Sequence, residues 1–352
     1  MVPGLNRQRT LQSLILAVGV AVASGIGAAT PKCSLARLDE WTLKSGHRHP
    51  VVEGSLNGHP IGILLDTGSM RSLILSSAAR RLDLPLRPAR NYRMFGIGGE
   101  SPVEVARVES FSIGSSVLNG LQLFVSGTQE LGQGVDVILG EDFFRSVDVE
   151  FDLAHNAVRL FQAKNCDGVS LAYWTTEITG EVAIDAINGS QPQIVVPVKI
   201  NGRPLEAVLD SGAAASILTK REAAAAGLTP DSPGVVGAGQ MTGLGAKSVD
   251  IWIGPIASFT IGNQTIRDTA MLFGSMFQDA TYTETGSRVP RSVEGTAEMF
   301  LGVDFLRSHR VLVAHSQRKL YFSYLGGPVF KPGASVPQCD GGGPPCGEPA
   351  KK

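Results

Sequence analysis

The sequence predicts an all-β fold made of two pseudo-symmetric halves with only short helices. Three observations carry that expectation. Gly accounts for 42 of 352 residues while aromatic residues make up 6%, a Gly share well above the usual roughly 7% that marks many turns and tight loops. Apolar runs are short and bounded by Gly, Asn, Asp or Pro, as strands are. Three blocks of sequence also recur, in the same order, in the two halves of the chain.

Composition narrows the class. Apolar residues at 43% and charged residues at 18% exclude a disordered chain, and the length suits two domains, or one large one, with a real core. With 31 Lys and Arg against 32 Asp and Glu, the balance argues against a nucleic-acid or acidic-membrane partner.

In chain order, residues 1–29 read as a signal peptide. Arg7 and Arg9 precede an apolar run from Leu11 to Ile26, followed by the small residues Gly27, Ala28 and Ala29, the order of an export leader. The mature protein is therefore expected in the periplasm or outside the cell. An uncleaved leader would act as a membrane anchor instead. Residues 30–49 form an N-terminal segment. Within it His47, Arg48 and His49, with His59 downstream, offer imidazoles but read as a solvated polar stretch, and no metal or other cofactor is expected. Cys33, Cys166, Cys339 and Cys346 show no Cys-x-x-Cys spacing, against a zinc ribbon. In an exported chain they allow two disulfides by three pairings.

The repeat organises the remainder. Asn57-Gly58-His59-Pro60 returns as Asn201-Gly202-Arg203-Pro204, and Asp66-Thr67-Gly68 returns as Asp210-Ser211-Gly212, both 144 residues on. Ser72 maps to Ser216 by the same shift. Phe111-Ser112-Ile113-Gly114 answers Phe259-Thr260-Ile261-Gly262. Leu139-Gly140-Glu141-Asp142-Phe143-Phe144-Arg145-Ser146 answers Leu301-Gly302-Val303-Asp304-Phe305-Leu306-Arg307-Ser308, now 162 residues on. The drift places an insertion between Gly274 and Ala297, a polar stretch that reads as a surface loop. The halves are expected over 50–163 and 193–325, joined by a linker at 164–192. A disordered Gly- and Pro-rich tail is expected over 326–352.

Within each half the pattern is strand-like. Ile61–Leu65 is an apolar run into Asp66, Ser72–Leu75 resumes it, and Val103–Ile113 and Leu121–Val125 alternate. Short helices are expected over Ser76–Leu82, Asp142–Arg145 and Lys220–Ala226, the last from its alanines.

A carboxylate leaving an apolar strand into a Gly turn must be satisfied. A lone Asp-Thr-Gly reads as an Asp accepting turn N–H bonds. Duplication alters that reading, because equivalent residues of paired halves face each other across a two-fold axis. Asp66 and Asp210 would then share one proton and titrate as a pair. One member can take a proton from water while the other donates to a carbonyl oxygen, which is general acid–base hydrolysis of an amide.

On these motifs each half resembles a retropepsin-type aspartic protease domain, over about Pro50–Phe161 and Gln193–Tyr324. The resemblance implies two β-barrel halves, each giving one catalytic residue, Asp66 and Asp210. It implies that Thr67 and Ser211 lock the two active-site loops, together with Gly68, Ser69 and Gly212. Leu139, Gly140, Leu301 and Gly302 would support the loops from behind. Flaps over substrate would be Gly96, Ile97, Gly98 and Gly99 in the first half and Gly237, Ala238 and Gly239 in the second. The pattern departs at Ala213, opposite Ser69, where a hydroxyl able to donate to the carboxylate is lost. The second flap, running on through Gly243-Leu244-Gly245, is longer.

The leading reading is a single-chain, monomeric aspartic endopeptidase acting on an extended peptide or protein. The competing readings are a peptide-binding module that kept the fold without turnover, and halves that pair between chains.

Overall fold

Strands with alternating or fully buried patterns fill most of the chain. They run β1 (Ser34–Thr42), β2 (Val51–Leu56), β3 (His59–Leu65), β4 (Leu73–Leu75), β5 (Leu86–Pro88), β6 (Met94–Gly96), β7 (Gly99–Ser101), β8 (Glu104–Ile113), β9 (Ser116–Ser126), β10 (Val137–Leu139), β11 (Asp148–Asp152), β12 (Ala157–Lys164) and β13 (Gly180–Ala183). The second half continues with β14 (Val195–Ile200), β15 (Arg203–Leu209), β16 (Ile217–Thr219), β17 (Val236–Met241), β18 (Val249–Ile261), β19 (Gln264–Gly274), β20 (Thr281–Tyr282), β21 (Arg291–Ser292), β22 (Met299–Leu301), β23 (His309–Ala314) and β24 (Lys319–Tyr324). Among the described residues four short α-helices interrupt them: α1 (Ser76–Arg81), α2 (Glu141–Phe144), α3 (Lys220–Ala225) and α4 (Val303–Ser308). This computed structural model describes residues 32–90, 92–175, 179–185, 193–277, 281–282, 291–292 and 297–330.

Each half closes a six-stranded barrel. In the first the order is β2-β3-β10-β4-β9-β8, with β2 returning to β8 and β5 added on the outside of β8. The second repeats this as β14-β15-β22-β16-β19-β18, closed by β14–β18, with β17 outside. The repeated Asn-Gly pairs make the tight turns. Asn57 and Gly58 have φ of 51° and 79°, and Asn201 and Gly202 have 51° and 80°. A type I′ two-residue hairpin loop needs positive φ at both central positions, which Asn-Gly supplies at least cost.

A sheet shared by both halves lies beneath the barrels, in the order β1-β12-β11-β23-β24-β13. At its centre Val149 pairs with Val313, Glu150 with Leu312 and Phe151 with Val311. A shift of 162 exchanges these pairs, so the pseudo-two-fold axis passes through Glu150 and Leu312. One hydrophobic core runs through both halves, from Val51 and Ile63 to Phe259 and Phe322.

Several expected boundaries differ in the structure. The N-terminal segment supplies β1, which pairs with β12. The residues read as a linker supply β13, which pairs with β24, and Cys166, which is disulfide-bonded to Cys33. Four residues of mixed polarity carry too little pattern to be read as a strand, and only the β24 edge makes them one. The tail begins packed rather than free: Val329 and Phe330 are buried, with Phe330 against Phe259 at 4.8 Å between ring centroids. The segment read as a leader at 1–29, the remaining tail with Cys339 and Cys346, and most of the insertion lie outside the described residues. Within the insertion, β20 pairs with β21.

Candidate active site

Buried strands deliver the two aspartates. The β3 residues from Ile61 to Leu65 are all buried, and β10 runs parallel to β3, pairing Leu139 with Leu65. The Leu139 carbonyl then accepts the Asp66 N–H at 2.9 Å, as the Leu301 carbonyl accepts that of Asp210 at 2.9 Å. Each loop satisfies one oxygen of its own carboxyl. Asp66 Oδ1 accepts from the N–H groups of Gly68 (3.0 Å) and Ser69 (2.9 Å). Asp210 Oδ1 accepts from Gly212 (2.9 Å) and Ala213 (3.0 Å).

The loops are braced across the axis. The Thr67 hydroxyl donates to the Leu209 carbonyl (2.7 Å) and accepts from the Ser211 N–H (3.0 Å). The Ser211 hydroxyl donates to the Leu65 carbonyl (2.7 Å) and accepts from the Thr67 N–H (3.0 Å). Thr67 and Ser211 are both fully buried. The brace brings the carboxyls together: a Cβ on Gly68 would land on the Asp210 carboxyl, and one on Gly212 on that of Asp66. Glycine is required at both positions by this close approach.

The pair titrates upward. Burial raises Asp66, while hydrogen bonds from the Ser69 N–H, Asp210 and the Gly68 N–H oppose that rise. Burial raises Asp210 well above the ordinary carboxylate range, and the Asp66 charge pushes it further. Two apposed carboxyls of this kind hold a proton between them.

Behind each loop stands a strut that motif reading alone did not single out. Ser72 donates through N–H (2.8 Å) and hydroxyl (2.7 Å) to Asp142 Oδ1, and its hydroxyl accepts the Gly140 N–H at 3.0 Å. Ser216 bonds Asp304 through N–H (2.9 Å) and hydroxyl (2.6 Å) and accepts the Gly302 N–H at 2.9 Å. The signal was present, since Ser72/Ser216 and Asp142/Asp304 are each identical across the repeat. Burial raises Asp304 to about 6. Gly140 and Gly302 fit because a Cβ at either would press on the backbone of Arg71 or Ala215 at 2.7 Å.

Other expected residues fall differently. The Ser69 hydroxyl donates to the Arg71 carbonyl at 2.9 Å rather than to a carboxylate, so the Ser69/Ala213 difference gives the pair no extra side-chain donor. Gly96 to Gly99 form the β6–β7 hairpin, with Gly96 paired to Gly99. Its tip is met by residues 243–247: the Gly245 N–H donates to the Ile97 carbonyl and the Lys247 N–H to that of Gly98, both at 3.0 Å. Gly237, Ala238 and Gly239 lie in β17, which pairs with β18, and Ala238, like Ile97, packs against the second-half core. His49 is not solvated. It is partly buried and bonded to the Gly212 backbone, and burial, then the electrostatic effect of its neighbours Arg48, His47 and Arg307, lower its pKa. Arg307 in turn donates to the carbonyls of His47 and Arg48, both at 3.0 Å.

The aspartyl protease family profile matches residues 52–143 and 196–305, one stretch for each barrel. The chain belongs to the aspartyl protease family. This aspartyl protease carries both halves of the pseudo-dimer in one chain. Among solved structures it is similar to an aspartic proteinase from Irpex lacteus, at 12% identity, covering 83% of this chain and 97% of that one with a TM-score of 0.46. It is also similar to a retropepsin-like aspartic protease from Rickettsia conorii, at 15% identity, covering 38% of this chain and 95% of that one with a TM-score of 0.27. No curated protein matches the chain.

Proposed function

We propose that the protein is an exported, monomeric aspartic endopeptidase that hydrolyses extended peptides with Asp66 and Asp210 as the catalytic pair. The observation that carries this reading is the apposition of two carboxyls, each held by its own Gly loop and each lying against the other's glycine. Asp210, raised further by its neighbour's charge, holds the shared proton and Asp66 is the ionised member. A water between them gives its proton to Asp66 and attacks the scissile carbonyl, while Asp210 donates to the carbonyl oxygen. Return of a proton to the amine nitrogen breaks the C–N bond, with no covalent enzyme intermediate. The brace at Thr67 and Ser211 keeps the carboxyls in reacting geometry. The β6–β7 hairpin and residues 243–247 cover the peptide, and the leader directs export.

The test is Asp66→Asn and Asp210→Asn, each assayed on a mixed peptide library with circular dichroism as the fold control. Each variant is expected to keep its fold and lose cleavage, and mixing the two should not restore it. Cleavage retained by either variant would refute a shared pair, and recovery on mixing would show pairing between chains.

A further inference from the structure

Behind the first active-site loop the halves meet at a buried acid–base contact that the proposed chemistry leaves unused. Glu141 opens α2, and its N–H donates to the Ser69 carbonyl at 2.8 Å, so its seat is tied to the loop that carries Asp66. Its side chain is fully buried. His315, just past β23 in the second half, is 7% exposed and brings Nε2 to 3.3 Å from Glu141 Oε1. Among the described residues neither carboxyl oxygen nor Nε2 has a hydrogen-bond partner. Such a polar contact in a core is costly.

The sister half shows that the fold does not require it. The shift of 162 carries Glu141 onto Val303 and Leu153 onto His315. The left-handed turn residues Asn156 (φ 55°) and Arg318 (φ 53°) keep the same register. The symmetry-related position therefore holds Val303 and Leu153, both buried in the common apolar core. One side of the axis is apolar; the other is ionisable.

We propose that Glu141 and His315 form a proton-linked positioning pair that ties the seating of the first active-site loop to pH, an inference that rests on that loop being catalytic. With one proton between them the pair is neutral overall. A second proton leaves a buried imidazolium without a counter-ion, and loss of the proton leaves a buried carboxylate; either uncompensated charge strains the contact and the α2 turn above it.

The surrounding groups agree with this. Burial raises Glu141 to about 9, with Asp142 adding to the rise and Arg145 opposing it. Burial lowers His315 to about 4. From other elements, Asp148 on β11 accepts from the N–H (2.8 Å) and hydroxyl (2.7 Å) of Ser316, beside His315, and is itself raised by burial. Asp66 stands on the loop that Glu141 caps. Because Glu141 lies above its ordinary 4.5, its contribution to stability falls as pH rises from 4.5 towards 9. Because His315 lies below its ordinary 6.5, its contribution falls as pH drops from 6.5 towards 4. The pair therefore costs the folded state least between those ordinary values.

The experiment compares the full-length wild type with Glu141→Val, His315→Leu and the double variant, which copies the sister half. Tm and hydrogen exchange at residues 66–72 are recorded across pH. The Tm gain of Glu141→Val over wild type should grow as pH rises above 4.5, and that of His315→Leu should grow as pH falls below 6.5. In the double variant, exchange at 66–72 should lose the rise that wild type shows on either side of that window. Differences that stay flat with pH, or a double variant whose loop exchange follows wild type, would overturn the proposal. Neither readout uses substrate, so a wild type that cleaves no peptide would refute the protease reading separately.

Discussion

Replacing Thr67 with Val tests the brace that holds the two loops together. Valine keeps the shape of threonine but has no hydroxyl, so packing is nearly unchanged while two bonds disappear. The Leu209 carbonyl loses its 2.7 Å donor and the Ser211 N–H its 3.0 Å acceptor, at a site with no exposure. An orphaned buried N–H costs about 1–3 kcal/mol and a lost net bond about 1 kcal/mol. The expected loss is therefore roughly 2–4 kcal/mol, a large share of the usual total of about 5–15 kcal/mol. Thr67→Ser keeps both bonds and removes one methyl, for about 0.5–1.5 kcal/mol. Urea unfolding of the three proteins measures the difference, and peptide hydrolysis reports the geometry. A shift of about 1 Å in the Asp210 loop should cost about 100-fold in rate. If Val and Ser variants unfold within about 0.5 kcal/mol of each other, the brace does not carry the load assigned to it.

Two further outcomes follow from close packing and from covalent linkage. Gly212→Ala places a Cβ on the Asp66 carboxyl and should lower kcat about 100-fold or more; near-normal turnover would contradict the apposed geometry. Removing the Cys33–Cys166 disulfide, which joins residues 133 apart, by a double Cys→Ala change should cost about 2–5 kcal/mol, read as a lower guanidinium midpoint, and an unchanged midpoint would show that β1 needs no tether.

The candidate site was legible in sequence because its parts are local and occur twice. A hydrophobic strand ending in Asp-Thr-Gly or Asp-Ser-Gly, an Asn-Gly turn upstream and a Leu-Gly block downstream each depend on neighbours within a few residues, and their recurrence in the same order in both halves separated them from chance. The braces at Thr67 and Ser211 were legible only through the family resemblance, since their partners lie in the other half. Ser72 with Asp142, and Ser216 with Asp304, left a trace as identities across the repeat without a stated role. His49 shows the limit: a polar run at the start of a domain reads as solvated until the Gly212 backbone and Arg307 are found around it.

By itself the sequence determined the duplication, the all-β character, the two aspartate turns and the tight hairpins, because each rests on short-range backbone geometry and on the periodicity of burial. Only the tertiary structure decided the shared six-stranded sheet, the recruitment of β1 and β13 to it, the choice of Cys166 as the partner of Cys33, and the meeting of Glu141 with His315. These join residues more than a hundred positions apart in sequence, or pair an edge strand too short and too mixed to be read alone. Their stability comes from an edge, a partner or an axis supplied by residues distant in sequence.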